Sequence, residues 1–104
     1  MDRSAAMGHG AWRLVEEHRP EILAAASSCG ARNVRVFGST ARGLDDEKSD
    51  IDFVVSLDRG RTLFDLTRLE IRLEKLLGRR VDVVTDDSLL EPIRSTALKE
   101  ALPV

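Results

Sequence analysis

The sequence predicts an α+β fold, in which a small mixed sheet of three strands carries helices packed on one face. Three short runs alternate apolar and polar residues, which is the period of a half-buried strand. Three other stretches carry helical signals, and the second of them connects the second strand to the third. A helix between two strands makes a crossover, so those two strands should be parallel and the connection right-handed. The order helix, strand, strand, helix, strand, helix therefore predicts one layered domain.

The first helical stretch covers residues 11–29, where apolar side chains recur at helical spacing. Pro20 interrupts it, so we expect either a kink or two short helices with the second beginning at that proline. Gly30 is placed as a C-terminal stop. Residues 33–37 alternate and form the first predicted strand, which ends at Gly38.

Six further segments complete the prediction. They are a helical turn, a polar loop, a strand, a long helix, a strand and a final helix, at residues 40–43, 44–48, 51–57, 62–77, 80–85 and 88–101. Thr62 is the expected N-cap of the long helix, whose leucines form one apolar stripe, and Gly78 ends it. The final helix opens at Ser88 or Glu91, with Pro92 in its first turn.

Composition limits the function classes. The chain has 104 residues, and we expect residues 1–10 to be disordered and residues 11–104 to form a single domain. Sixteen basic and eighteen acidic side chains give a net charge of −2. With charges this close to balance, we expect neither a membrane partner nor direct nucleic-acid binding. Cys29 is the only cysteine, which excludes an internal disulfide and favours a cytoplasmic location.

The apolar sides of the second and third strands should turn toward the helices, so three aspartates converge on the opposite, open face of the predicted sheet. Residues 36–55 read VFGSTARGLDDEKSDIDFVV, in which Asp50 and Asp52 share one side of the second strand. Asp82 takes the same side of the third strand. Three carboxylates this close would repel one another and raise each other's pKa unless a cation joined them. Mg²⁺ prefers oxygen ligands and carboxylates supplemented by phosphates, so we expect one or two Mg²⁺ ions here.

The Gly38-Ser39 pair predicts a phosphate site beside that metal site. Glycine at the end of a strand lets the backbone approach a ligand closely and offer its N–H groups. The hydroxyl of Ser39 and the start of the following helical turn add donors, and Arg42 lies one turn further on. Ser49, which opens the motif Ser-Asp-Ile-Asp, is counted among the candidate phosphate contacts. Together the two sites indicate a nucleoside triphosphate and metal-assisted phosphoryl transfer.

At these residues the sequence resembles the DNA polymerase beta-type nucleotidyltransferase superfamily, and specifically its minimal nucleotidyltransferase (MNT) branch. The pattern of that branch is a Gly-Ser pair after the first strand, Asp-x-Asp on the second strand and a further carboxylate on the third. In this chain the pattern reads Gly38-Ser39, Asp50-Ile51-Asp52 and Asp82, and the resemblance covers residues 34–85.

The resemblance implies a role for each matching residue. Asp50 and Asp52 correspond to the ligands of both metals, and Asp82 to the carboxylate that also activates the attacking hydroxyl. Gly38 and Ser39 correspond to the residues that bind the triphosphate tail of ATP. The implied reaction is an in-line attack on the α-phosphorus, with pyrophosphate as the leaving group.

The resemblance also implies a partner. Many members of the branch act as the antitoxin of a HEPN-domain toxin, and some transfer AMP from ATP to a tyrosine of that toxin. Two alternatives stay open on the sequence. In one, the chain neutralises its partner by binding and masking it. In the other, it is a small-molecule nucleotidyltransferase of the antibiotic-modifying type.

Overall fold

The computed structural model describes residues 10–44, 46 and 48–104, and these residues form five helices and four strands. In chain order they are α1 (Ala11–Glu17), α2 (Arg19–Ser28), β1 (Ala31–Phe37), α3 (Gly38–Arg42), β2 (Ile51–Leu57), α4 (Leu63–Leu77), β3 (Val81–Thr85), α5 (Ile93–Glu100) and β4 (Leu102–Pro103). The stretch predicted to be disordered lies outside the described residues, except for Gly10, which precedes α1.

The strands form one mixed sheet in the order β3-β2-β1-β4. β2 and β3 are parallel, as the crossover predicts, and β1 runs antiparallel to both of its neighbours. The predicted sheet had three strands, and the structure adds β4, which pairs with Arg35 and Val36 of β1. A strand of two residues, one of them proline, is too short to show an alternating pattern in the sequence.

The first helical stretch is two helices, one of the two predicted alternatives. The break falls at His18, and α2 begins at Arg19 with Pro20 in its first turn. The first N–H groups of a helix have no intrahelical acceptor, so the missing N–H of proline costs little there. The second helix therefore begins one residue before the predicted position.

The long helix α4 is capped at both ends. The Oγ1 of Thr62 accepts from the backbone N–H of Phe64 at 3.2 Å, and Oδ2 of Asp65 accepts from the backbone N–H of Thr62 at 2.9 Å. This reciprocal cap confirms Thr62 as the N-cap. Gly78 ends the helix in the left-handed conformation, with φ +67°. Within the described ranges, no helix combines the length and apolar character needed to cross a membrane.

One side of the sheet and the inner stripe of the helices make the core. The buried strand residues on this side include Val36, Ile51, Phe53, Val55, Val81 and Val83. The helices contribute Val15, Ile22, Leu66, Leu69, Leu73 and Leu77. Each such side chain contributes about 1.5–3 kcal/mol by leaving water. The apolar residues of β2 and β3 therefore face the helices, as predicted, and this orients the aspartates of β2 and β3 to the other side.

That other side is open at one end only. Asp52, Val54 and Ser56 share it because successive side chains of a strand alternate between faces. Val54 is 0% exposed and Ser56 is 8% exposed, so the sheet is covered beyond Asp52. The Oγ of Ser56 donates to Oδ2 of Asp86 at 2.7 Å, and Nε of Arg94 in α5 donates to the backbone oxygen of Asp86 at 3.0 Å. The aspartate face, which was predicted to be open, is therefore open only near Asp52.

Candidate active site

The turn after β1 has the form that the Gly-Ser pair predicts. The strand ends at Phe37, and Gly38 takes φ +68°, a conformation that favours glycine. The short helix α3 begins at Gly38, two residues before the predicted helical turn, and Gly43 ends it in the left-handed conformation. Because the first N–H groups of a helix have no intrahelical acceptor, the backbone here keeps donors for an anion.

This turn lies directly against the Asp-x-Asp motif. Phe37 is paired with Asp52 across β1 and β2, so the residue after Phe37 reaches the same end of the sheet. A β-carbon built on Gly38 would lie 2.8 Å from Oδ2 of Asp52, closer than real β-carbons approach other atoms. Glycine is therefore needed at position 38 for its backbone angle and for the space that the carboxylate fills. The two motifs, which ten residues separate in the sequence, form one site.

The three predicted aspartates meet at the start of β2 and β3. Asp52 stands opposite Asp82 in the parallel pairing, and Asp50 precedes β2. Burial raises the pKa of Asp52 to about 6, and the negative charges of Asp82 and then Asp50 add to that effect. The sequence predicts this mutual repulsion of the three carboxylates in the absence of a bound cation. The donor set consists of carboxylate oxygens, which suit Mg²⁺.

The two outer aspartates have other charged neighbours in this conformation. Oδ1 of Asp50 lies 3.4 Å from Nε of Arg80, and the carboxylate of Asp82 lies close enough to that of Glu70 to raise the pKa of Glu70. Across the residues that the structure describes, no three carboxylate, imidazole or thiol side chains are arranged around one point as metal ligands. The three aspartates are gathered at one end of the sheet, but in this conformation their carboxylates do not surround a common point.

Glu70 and Glu74 are site neighbours that the sequence analysis did not identify. Glu70 accepts through Oε2 from the backbone N–H of Val83 at 2.9 Å, and Glu74 accepts likewise from Val81 at 3.1 Å. Since β3 is an edge strand, these N–H groups have no strand partner on that side among the described residues. Partial burial raises the pKa of Glu70, and the contact with Asp82 raises it further. The spacing of four residues beside a leucine stripe was the available signal, but it also fits an ordinary solvated helix face.

The remaining predicted phosphate contacts have partners elsewhere. Arg42 donates from Nε to Oε1 of Glu100 in α5 at 2.9 Å. Ser49 exchanges hydrogen bonds with Asp46, at 3.0 Å from the backbone N–H and 3.2 Å to the carboxylate. Ser39 is half-buried in α3. Ser39 lies at the site because it directly follows Gly38 in the chain. Phosphate binding by Arg42 and Ser49 stays a prediction.

Thr40 adds an unexpected polar group next to the turn. It is 1% exposed, and its Oγ1 has no hydrogen-bond partner among the residues that the structure describes. A buried hydroxyl without a partner costs about 1–3 kcal/mol. No pattern in the sequence distinguishes this threonine from a solvated one.

Comparison with known proteins agrees with this geometry. The family model described as Nucleotidyltransferase domain matches residues 19–104. The protein adenylyltransferase MntA of Thermococcus cleftensis is 43% identical over 91 residues, which are 88% of this chain and 89% of that protein. A Methanocaldococcus jannaschii protein assigned as a protein adenylyltransferase is 37% identical over 90 residues, which are 86% of this chain and 97% of that protein.

Solved structures give the same result for the fold. A structure assigned to the minimal nucleotidyltransferases matches with a TM-score of 0.82 at 43% identity, covering 92% of this chain and 98% of that one. A toxin–antitoxin structure with AMP-PNP shares the fold with a TM-score of 0.69 at 20% identity, covering 81% of this chain and 69% of that one. From its sequence, its fold and the joined Gly-Ser and Asp-x-Asp motifs, the chain belongs to the nucleotidyltransferase domain family.

Proposed function

We propose that this chain transfers AMP from ATP to a hydroxyl group of a partner protein, and that it acts as an antitoxin. The observation that carries the proposal is the position of the Asp52 carboxylate, which fills the space beside the Gly38 backbone where a β-carbon would lie and stands opposite Asp82 in the sheet. A turn with free backbone donors and a cluster of carboxylates thus occupy one end of the sheet. The phosphates of a nucleoside triphosphate need hydrogen-bond donors, and its metal ion needs oxygen ligands.

Asp50, Asp52 and Asp82 are the residues that would hold Mg²⁺, as one or two ions. The fit rests on their oxygen donors and on the repulsion that raises the pKa of Asp52. When bound, such ions stabilise the attacking and leaving oxygens of an in-line displacement. Gly38 supplies backbone donors and Ser39 its hydroxyl to the triphosphate tail.

The proposed transfer forms one bond and breaks another at the α-phosphorus. The acceptor oxygen forms a bond to the α-phosphorus while the bond from that phosphorus to the bridging oxygen breaks, and pyrophosphate leaves. We assign Asp82 as the acceptor of the hydroxyl proton, since it borders the open end of the sheet and is exposed.

The proposed acceptor is a tyrosine of a HEPN-family toxin in the cytoplasm. Two relatives that carry the name protein adenylyltransferase support a protein acceptor. The chain itself has no tyrosine, so a tyrosine acceptor must come from another molecule. An open site on so small a domain also needs a second protein to exclude water and to present the hydroxyl in line.

Neutralisation by masking is the second candidate, and exposed apolar side chains favour it. Leu63 and Phe64 at the start of α4, and Leu90 and Ile93 near the start of α5, are all largely exposed. Apolar side chains exposed in neighbouring pairs are typical of protein–protein interfaces. Binding of this kind needs no chemistry, so it predicts that the aspartates are dispensable.

Intact-mass measurement of the toxin separates the two candidates. A candidate HEPN-family toxin, sought among the genes beside that of this chain, is incubated with ATP and Mg²⁺ and with the wild-type chain, Asp52→Asn or Asp58→Asn. Asp58 is an exposed carboxylate at the other end of β2, paired with Arg32, and it serves as the matched control. We expect AMP-sized additions and loss of toxicity with the wild type and Asp58→Asn but not with Asp52→Asn. Full neutralisation by all three chains without a mass change would leave masking alone.

A further inference from the structure

The outward surface of α4 combines apolar and basic side chains in a chain whose net charge is −2. Six large side chains of this helix are exposed, namely Leu63, Phe64, Arg68, Ile71, Arg72 and Lys75. Phe64 is 82% exposed and Ile71 is 48% exposed. Residues four apart lie in one row along a helix, so Phe64, Arg68 and Arg72 form one row beside the other three. We call these six residues the outer face of α4.

The three carboxylates of α4, a helix described throughout, are all engaged elsewhere. Asp65 accepts a hydrogen bond from the backbone N–H of Thr62. Glu70 and Glu74 accept from the backbone of β3. Arg68 lies 3.3 Å from Asp65, but an exposed ion pair contributes only about 0.2–1 kcal/mol. A carboxylate of another molecule can replace that pair at little cost, so the outer face attracts anionic groups.

The outer face is held in place before any partner binds. α4 is capped at both ends, and the leucines on its inner side are buried in the core. Arg72 donates to Oγ of Ser28, which ties the helix to α2. The 15 residues of the helix span about 22 Å, or roughly four turns. A fixed surface loses little conformational freedom on binding, and its adjoining rows of side chains suit a second helix packed along it.

We infer that the outer face of α4 docks an acidic amphipathic helix of a partner protein. Apolar side chains of that helix cover Phe64 and Ile71, and its carboxylates pair with Arg72 and Lys75. The inference rests on the proposed function only in requiring a protein partner, since it involves binding and no chemistry. α4 packs on the side of the sheet opposite Asp52, so a partner docked on this helix leaves the aspartates accessible.

Two other occupants fit the outer face less well. A two-fold contact with a second copy of this chain would bring the cations of one outer face toward the same cations of the other. A helix that lies in a membrane interface buries a broad apolar face, but the broad apolar side of α4 is already packed in the core. On the outer face Arg68 separates Phe64 from Ile71, a mixed pattern that suits the side chains of one partner helix.

NMR titration of the full-length chain, labelled with ¹⁵N, tests the inference. The probe is a stapled helical peptide of about four turns that presents leucine and glutamate along one face. Its matched control replaces every glutamate with lysine. We expect the glutamate peptide to shift amide signals of α4 in a saturable manner, and the lysine peptide to leave them unchanged. Vesicles of phosphatidylserine and phosphatidylcholine form a separate arm, and binding to these vesicles without binding to the glutamate peptide would overturn the inference in favour of a membrane surface.

Reversing the charge of the outer face should exchange the two peptides. We expect the double variant Arg72→Glu, Lys75→Glu to bind the glutamate peptide about tenfold or more weakly and to gain binding of the lysine peptide. The double variant Arg13→Glu, Lys99→Glu reverses two exposed cations on other helices and is the matched control. It should bind both peptides as the wild type does. Circular dichroism verifies that each variant is folded.

The apolar part of the outer face is tested separately. Phe64→Ser should weaken the glutamate peptide by about fivefold or more, because the aromatic ring no longer leaves water on binding. Leu90→Ser changes an exposed apolar residue outside α4 and should leave the affinity unchanged. Asp52→Asn should also bind as tightly as the wild type, since the aspartate site takes no part in docking.

The outcomes separate this inference from the proposed function. If the wild type shows no saturable shift, or if Phe64→Ser and Leu90→Ser weaken the peptide equally, the inference is overturned, and AMP transfer is still decided by the mass of the toxin. If that mass is unchanged while the glutamate peptide binds at α4, the proposed transfer fails and the docking surface stands.

Discussion

The carboxylate of Asp52 occupies the space in which any other residue at position 38 would place its β-carbon, 2.8 Å from Oδ2. Gly38→Ala should therefore abolish most of the transfer activity, because the carboxylate must move from the metal site. The variant should also lose about 1–3 kcal/mol of stability from its left-handed backbone. Gly78→Ala is the control, since Gly78 has φ +67° and a β-carbon there would meet no atom of the described non-neighbouring residues within 4 Å. Chemical denaturation and transfer assays should show destabilisation in both variants, larger in Gly38→Ala because of the clash with Asp52, but inactivity only in Gly38→Ala.

Asp52 should make the metal-free protein less stable at neutral pH than at acidic pH. Its pKa rises from 3.8 to about 6 in the folded state, so the folded protein binds the proton more tightly than the unfolded chain. This contribution is fully present below pH 4 and is lost as the pH rises through 6. After a discount for solvent screening, the loss is on the order of 1–2 kcal/mol.

Asp52→Asn removes that dependence, so in EDTA the variant should be more stable than the wild type at pH 7. The difference should shrink toward pH 4. Urea denaturation from pH 4 to pH 8 measures it, and Asp58→Asn controls for the loss of an exposed carboxylate. A wild-type advantage at pH 7 in EDTA would contradict the crowding of the three aspartates.

Glu70 and Glu74 should protect separate backbone groups of β3. Glu70→Ala removes the acceptor for the N–H of Val83, and Glu74→Ala removes the acceptor for that of Val81. Each change should cost about 1 kcal/mol and increase hydrogen exchange at its own amide. Amide-resolved hydrogen exchange measures this, and the glutamine variants, which keep an acceptor oxygen, are the controls. Equal exchange at both amides in both alanine variants would refute the pairing.

Two threonine-to-valine substitutions should have opposite effects. Thr40 is buried and its hydroxyl is unpaired among the described residues, so Thr40→Val should be neutral or stabilising by up to about 1 kcal/mol. Thr62→Val removes the N-cap of α4 and should cost about 1 kcal/mol. Thermal unfolding of the two variants side by side measures the contrast. A clear destabilisation by Thr40→Val would mean that its hydroxyl has a partner.

The sequence predicts the central elements because their signals are local. The alternation of β2 and the capping residues of α4 lie within a few positions of one another, and the structure has both where expected. β4 has two residues and no such signal. The burial of Val54 depends on segments that are distant in the sequence. Strand periodicity predicts which face of the sheet a side chain takes, but it does not show what packs against that face.

The same distinction between local signals and contacts of distant segments applies to the candidate site. The meeting of Gly38, Asp52 and Asp82 follows from strand ends and parallel pairing, which the spacing predicts. The pairing of Arg42 with Glu100 joins residues 58 positions apart through the packing of α5 on α3, and no short-range pattern encodes it. The contacts of Glu70 with β3 likewise depend on how closely the crossover helix approaches the edge of the sheet.

Glu70 and Glu74, which accept hydrogen bonds from the backbone of β3, also bear on self-association. An exposed strand edge with unpaired N–H groups is a template on which another chain adds a strand and aggregation begins. At one edge the N–H groups of Val81 and Val83 are engaged by carboxylates, and at the other Pro103 has no N–H to offer. Because the described strands are blunted at both edges, we expect copies of this chain to resist edge-to-edge self-association, and a partner to recognise side chains instead of adding a strand.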